Sequence, residues 1–234
     1  MIHNMKKIIT IAGAFLLLPS MSIYAQTKGF NLGLEIGDAL SQIEHKIRDT
    51  DPGNASNSIT AQGTAHGLNA GINAGYMLNI NSGISLNISL NGTWYGQTTN
   101  VANLTLTDGG QTVNISSKEK LKHSFGIQFQ PMFQLHNDTS LFVTLGYHRG
   151  YFNTSITDQD IGEATQSRTI NDNRDGFQYG IGVATNLTEK MQATFGVTKT
   201  DFKSKQLISG NDFGLNSKFS VVKINLGLAW MVGL

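Results

Sequence analysis

From Val222 to Leu234 the chain puts an apolar side chain at every second position: Val222, Ile224, Leu226, Leu228, Trp230, Val232 and Leu234. Lys223, Asn225, Gly227, Ala229, Met231 and Gly233 lie between them. A two-residue repeat is the period of a β-strand, so one face of this segment meets something greasy and the other is small or polar. The pattern recurs along the chain. Phe30, Leu32, Leu34 and Ile36 alternate with Gly29, Asn31, Gly33 and Glu35, and Leu68 to Leu78 and Ile84 to Trp94 follow the same rule. So do the runs Phe125–Leu135, Leu141–Tyr151, Phe177–Leu187 and Met191–Val197, with Phe142 and Phe152 breaking the polar parity of their run. Counting the last, eight strands are predicted.

A soluble sandwich hides such a face against a second sheet, whereas a membrane barrel shows it to lipid. The runs are long for soluble strands and suit a tilted crossing, which takes about 9–11 residues. The polar parity is filled by Gly, Asn, Gln, Ser and Thr rather than by Lys and Glu, as in a crowded, hydrated lumen. Links near Asn79–Gly83, His136–Ser140 and Thr188–Lys190 are short. Those over Asp38–Ala65, Gly96–Lys120, Asn153–Arg174 and Lys203–Lys218 are long and read as surface loops. Short turns on one side and long loops on the other predict an all-β, eight-stranded antiparallel up-and-down transmembrane barrel. Aromatic residues fall toward both rims, with Phe30, Tyr76 and Trp230 at one and Trp94, Tyr147, Tyr151, Phe177 and Tyr179 at the other.

The N-terminus reads as an export signal. Lys6 and Lys7 precede an apolar run from Ile8 to Leu18, and a small or neutral stretch ends at Ala25; the run is too short to cross a bilayer as a helix. Cleavage after Ala25 divides the chain into a signal peptide, 1–25, and a barrel, 26–234. Without Lys6 and Lys7 the mature chain carries 15 basic against 16 acidic side chains, which gives no case for nucleic acid as a partner. The absence of Cys excludes disulfides, thiolate metal sites and Cys nucleophiles.

The segments Gly29–Gly37, Leu141–Gly150, Asp175–Met191 and Val222–Trp230 resemble the small eight-stranded outer-membrane β-barrel proteins, the group of the OmpA transmembrane domain, OmpX and the opacity-type proteins. The resemblance implies a Gram-negative outer membrane and insertion by the barrel-assembly machinery. It also implies a terminal strand that usually ends in an aromatic residue, where this chain has Leu234. No further domain is expected after the last strand.

An eight-stranded barrel is just wide enough for side chains, so the lumen is expected to be plugged, with any charge inside it paired. Glu35 and Lys223 point inward by parity on strands that closure makes neighbours, and they are predicted to form a lumenal ion pair joined by Lys122. Arg149 and Lys199 fall on the lipid-facing parity near the outer rim, where long stems reach toward lipopolysaccharide phosphates. Leu104, Leu106, Asp108, Gly109, Gly110, Val113 and Ile115 have the pattern of a hairpin projecting above the membrane, open to a host or surface ligand. No metal-ligand spacing appears among the histidines, and Asn171, Asn173, Asp175 and Gly176 lack the terminal Glu of a calcium loop. The expected function is that of a monomeric, non-enzymatic barrel without cofactor or metal, acting in membrane integrity and adhesion. A lipid-modifying enzyme and a narrow gated channel are the alternatives.

Overall fold

A computed structural model describes residues 28–49, 58–108, 111–136, 138–160, 166–209 and 213–232. Residues 1–25, expected to be an export signal, and Gly109, Gly110 and Leu234 lie outside the described residues.

The strands are β1 Gly29–Asp49, β2 Ser58–Asn81, β3 Ile84–Tyr95, β4 Thr99–Asp108, β5 Gln111–His136, β6 Thr139–Asp160, β7 Gln166–Thr188, β8 Met191–Ser209 and β9 Phe213–Val232. Every pairing is antiparallel, and β1 bonds both β2 and β9 while β3 bonds β5, so eight wall positions close into a ring. The ninth segment, β4, continues the wall of β3 after a break at residues 96–98: β3 pairs with Phe133–His123 of β5, and β4 with Glu119–Gln111.

The alternation places the apolar parity outside. Phe30, Leu32, Leu34 and Ile36 are 55–59% exposed, which for large apolar side chains in one band means a lipid-facing belt. The belt stops at charge: Asp38 and His66 lie 3.7 Å apart just above it. At the opposite end sit the tight turns, where Asn81 Oδ1 accepts from Gly83 N–H at 2.9 Å and Thr188 Oγ1 from Lys190 N–H at 3.2 Å.

The surface loops read from the sequence are mostly strand. β1 continues to Asp49 and β5 starts at Gln111, both far beyond the belt. At about 3.3 Å per residue and a tilt near 40°, the wall from Asp38 to Asp49 rises roughly 25–30 Å above the lipid. In this extension the outer face is polar and the inner one mixes apolar with polar side chains, so the apolar contrast that marks a strand fades while the backbone ladder persists.

Among the described residues the backbone ladder does not close around the extension. Register between β7 and β8 ends at Gly176↔Phe202, and register between β2 and β3 ends at Asn69↔Tyr95. Above these points two four-stranded leaves face each other, β2-β1-β9-β8 and β4-β5-β6-β7. The β2/β4 flank is tied at its base by Gly96 N–H to Leu68 O at 2.9 Å and by the Gln97 amide to Ser41 Oγ.

Candidate functional site

The lumen is layered. Nearest the tight turns, Met77, Met132, Phe142, Ala184 and Met231 form a buried apolar plug. A second plug lies at the base of the extension, where Phe152, Phe202 and Phe219 pack with Leu121, Tyr95, Ile43 and Val221. Its rings meet edge to face, with centroids 5.2 Å apart for Phe152–Phe202 and 5.0 Å for Phe152–Phe219. Phe142 and Phe152, the residues that break the polar parity of their run, thus supply one ring to each plug. Gly150 makes room for the upper one, since a Cβ there would stand 2.7 Å from the Phe202 ring.

Between the plugs the side chains are polar. Lys223 Nζ lies 3.2 Å from Glu35 Oε1 and donates to Thr93 Oγ1 at 3.3 Å. The two strands set this geometry by offset, because Lys223 pairs with Ala39 and Glu35 with Gly227, and the long lysine stem spans the difference. Gly71 beside Glu35 leaves the space its carboxylate fills, as a Cβ there would meet Oε1 at 2.5 Å. Lys223 is 1% exposed. A chamber of about 80 Å³ lies between this pair and the lower plug, walled by amides. Asn31 donates to Asn87 (2.9 Å), Asn87 to Gln130 (3.0 Å) and Gln128 to Gln178 (2.7 Å), with His148 Nε2 3.0 Å from Gln178 Oε1.

Lys122 does not join the pair. Register between β5 and β6 shifts between Leu121 and His123, and this bulge reverses the parity above it. Leu121 and Glu119 turn inward at 0% exposure, and Lys122 is exposed on the outer surface.

The same reversal builds a second charged layer that parity did not indicate. Glu119 Oε2 accepts from Ser217 Oγ at 2.8 Å and lies 3.2 Å from His45 Nε2, whose Nδ1 is 3.0 Å from Ser117 Oγ. Arg174 Nη2 stands 2.7 Å from Glu119 Oε1 without an aligned N–H, a charge contact rather than a directed bond. Arg174 also donates through Nε to Asp172 at 2.8 Å and through Nη1 to Ser217 at 3.0 Å, and stacks 4.5 Å over the Phe152 ring. Glu119, Ser117, Asp172 and Arg174 belong to one leaf, and His45 and Ser217 to the other, so the cluster ties the leaves together. Ser117, His45 and Glu119 have the order of a nucleophile relay, and all three are buried.

On the outer face, Arg149 and Lys199 sit where β6 and β8 leave the belt. Arg149 Nε donates to Asp175 at 2.9 Å across the β6–β7 pair, and Lys199 Nζ is 2.9 Å from Asp201. Tyr179 OH also donates to Asp201, at 3.1 Å. In the hairpin, β4 and β5 pair Leu104 with Ile115, Leu106 with Val113 and Asp108 with Gln111.

Among solved structures, the outer membrane protease OmpT from Escherichia coli aligns over 91% of this chain and 99% of its own, with 10% identity and a TM-score of 0.48. Neisserial surface protein A aligns over 83% of this chain and 96% of its own at 12% identity and a TM-score of 0.39. For Ail, the attachment invasion locus protein of Yersinia pestis, the figures are 82%, 97%, 12% and 0.26. No curated protein matches the chain in sequence. The family model described as outer membrane protein beta-barrel domain matches residues 12–231, and the chain belongs to that family of the bacterial outer membrane.

Proposed function

We propose that this protein is a non-enzymatic, monomeric barrel that stabilises the outer membrane and works at the cell surface through its extracellular extension. The observation that carries this reading is the division of the molecule at the belt. Below the extension the lumen is stopped by two apolar plugs with a charge-paired layer between them, which argues against a conducting path. Above the belt, wall continues where membrane insertion alone needs none, and exposed structure on a rigid scaffold is where binding resides. Residues 1–25 act as a cleaved export signal in this reading, and residues 26–234 are inserted by the barrel-assembly machinery. Arg149, whose Nε donates to Asp175, serves with Lys199 to contact lipopolysaccharide phosphates at the rim in this reading.

The β4–β5 hairpin is the element assigned to surface contact. Deleting residues 105–113 is expected to abolish adhesion of cells to host or abiotic surfaces while the barrel keeps its heat-modifiable gel mobility. Undiminished adhesion by cells bearing the deleted protein would remove this assignment.

A further inference from the structure

Two exposed lysines above the belt owe their positions to breaks in strand register. Lys122 is the residue pushed out by the β5 bulge, and Lys205 follows a second shift, between Phe202 and Lys205 on β8. Bulges re-aim side chains and recur beside binding sites. Here both lysines line one outward groove of about 670 Å³, together with His123, Tyr151, Asn171 and Asn173. That volume falls in the range of small-ligand sites. Neither lysine is ion-paired to a described carboxylate. Asp172 lines the groove too, but its Oδ2 is committed to Arg174 at 2.8 Å and its side chain is only 6% exposed. The groove is therefore cationic.

Its floor is suited to a ring. Tyr151 and His123 are directly paired across β5 and β6, with ring centroids 4.5 Å apart and planes inclined by 31°. Rings this close stack on one another, each covering one face of the other, so the pair meets the groove with aromatic edges and an outer ring face, and the Asn171 and Asn173 amides beside it can both donate and accept hydrogen bonds. Arg149 and Asp175, one step lower on β6 and β7, neutralise each other and leave the lysines as the uncompensated charge.

We propose that this groove binds an anionic saccharide, a sugar ring packing against the stacked Tyr151–His123 pair and its phosphate, sulfate or carboxylate groups held by Lys122 and Lys205. The assignment rests on the surface-contact reading and names the ligand class of a separate part of the extension. Two sources carry this chemistry: the headgroup of an outer-leaflet glycolipid, which lies level with the rim, and a soluble acidic glycan.

The test uses folded protein purified in detergent, with labelled dextran sulfate oligosaccharides and uncharged dextran of equal length as probes. Dextran sulfate is expected to bind and uncharged dextran not to. Lys122→Gln combined with Lys205→Gln is expected to weaken binding about tenfold or more, the scale of losing charge-assisted contacts, and Tyr151→Ala to weaken it several-fold. Each variant is first checked for heat-modifiable mobility. In a second arm, lipopolysaccharide retained per protein after extraction from cells is measured for the double lysine variant. Lower retention assigns the site to the membrane headgroup, and loss confined to the soluble probe assigns it to a soluble glycan. If the double variant changes neither measurement, the proposal is overturned. If the lysines matter and Tyr151→Ala does not, the saccharide assignment falls. Groove binding is read on purified protein and hairpin adhesion on cells, so either can fail without the other.

Discussion

Lys223 Nζ and Glu35 Oε1, which are 188 residues apart in sequence, lie 3.2 Å apart where the first and last strands close the ring. The contact is enclosed by the lumen wall, so each charge depends on the other for solvation. Removing one partner strands the survivor, which costs about 3–5 kcal/mol in buried pairs, whereas replacing both with apolar groups of similar volume is often close to neutral. Glu35→Gln and Lys223→Met are therefore each expected to lower the urea midpoint of the folded barrel. Glu35→Leu combined with Lys223→Met is expected to recover most of the loss. Additive losses in this double-mutant cycle would mean that the two groups do not act as a pair.

The Glu119–Arg174 cluster is expected to govern the extension and not the membrane ring. It links leaves that no backbone register joins along the β7/β8 flank among the described residues. Arg174→Met leaves Glu119 without its guanidinium. Trypsin should then cut at Lys203 and Lys205, and amide exchange should quicken in β7 and β8 above Gly176. The lower barrel should keep its heat-modifiable shift, and loss of that shift would show that the cluster supports the whole fold.

Conductance separates the two plugs. In planar bilayers the unaltered protein is expected to give no steady current. Phe152→Ala with Phe202→Ala leaves the lower plug intact, and Met132→Ala with Phe142→Ala leaves the upper one, so each pair alone should remain silent. Combining all four should open an ohmic path through the amide-lined chamber. Each phenylalanine truncation also costs about 3–5 kcal/mol when fully buried, so folded protein must be verified by gel first.

At the rim the expectation is the reverse, a small effect on stability with a larger effect on lipid. Exposed ion pairs contribute little to stability because water and salt screen them, so Arg149→Ala with Lys199→Ala should barely move the urea midpoint. The same variant should extract with less lipopolysaccharide. Unchanged lipopolysaccharide would leave Arg149 and Lys199 as members of local pairs with Asp175 and Asp201 and nothing more.

The barrel was legible in the chain because lipid and lumen differ sharply in polarity, and residues such as Leu32 and Asn31 report that difference one after the other. Phe142 and Phe152 were legible as exceptions, and the exceptions turn out to be the plugs. Apart from the hairpin paired through Leu104 and Ile115, the extension was not legible as strand, since polar residues such as Asn153 and Thr154 interrupt the alternation where water replaces lipid. Glu119 was hidden for a different reason. A single extra residue at Lys122 inverts every parity above it, and nothing in the composition around Lys122 marks the inversion. His45, Glu119 and Arg174 also fall within the segments Asp38–Ala65, Gly96–Lys120 and Asn153–Arg174 that read as loops, where alternation assigns no parity.

A wall that is continuous in the bilayer and divided above it has a mechanical consequence. Among the described residues the two leaves meet on the β7/β8 side through side-chain contacts such as that of Arg174 with Ser217 on β9, not through a ladder, so the spacing of the leaves there is set by side-chain chemistry while the spacing of the embedded strands is set by the backbone.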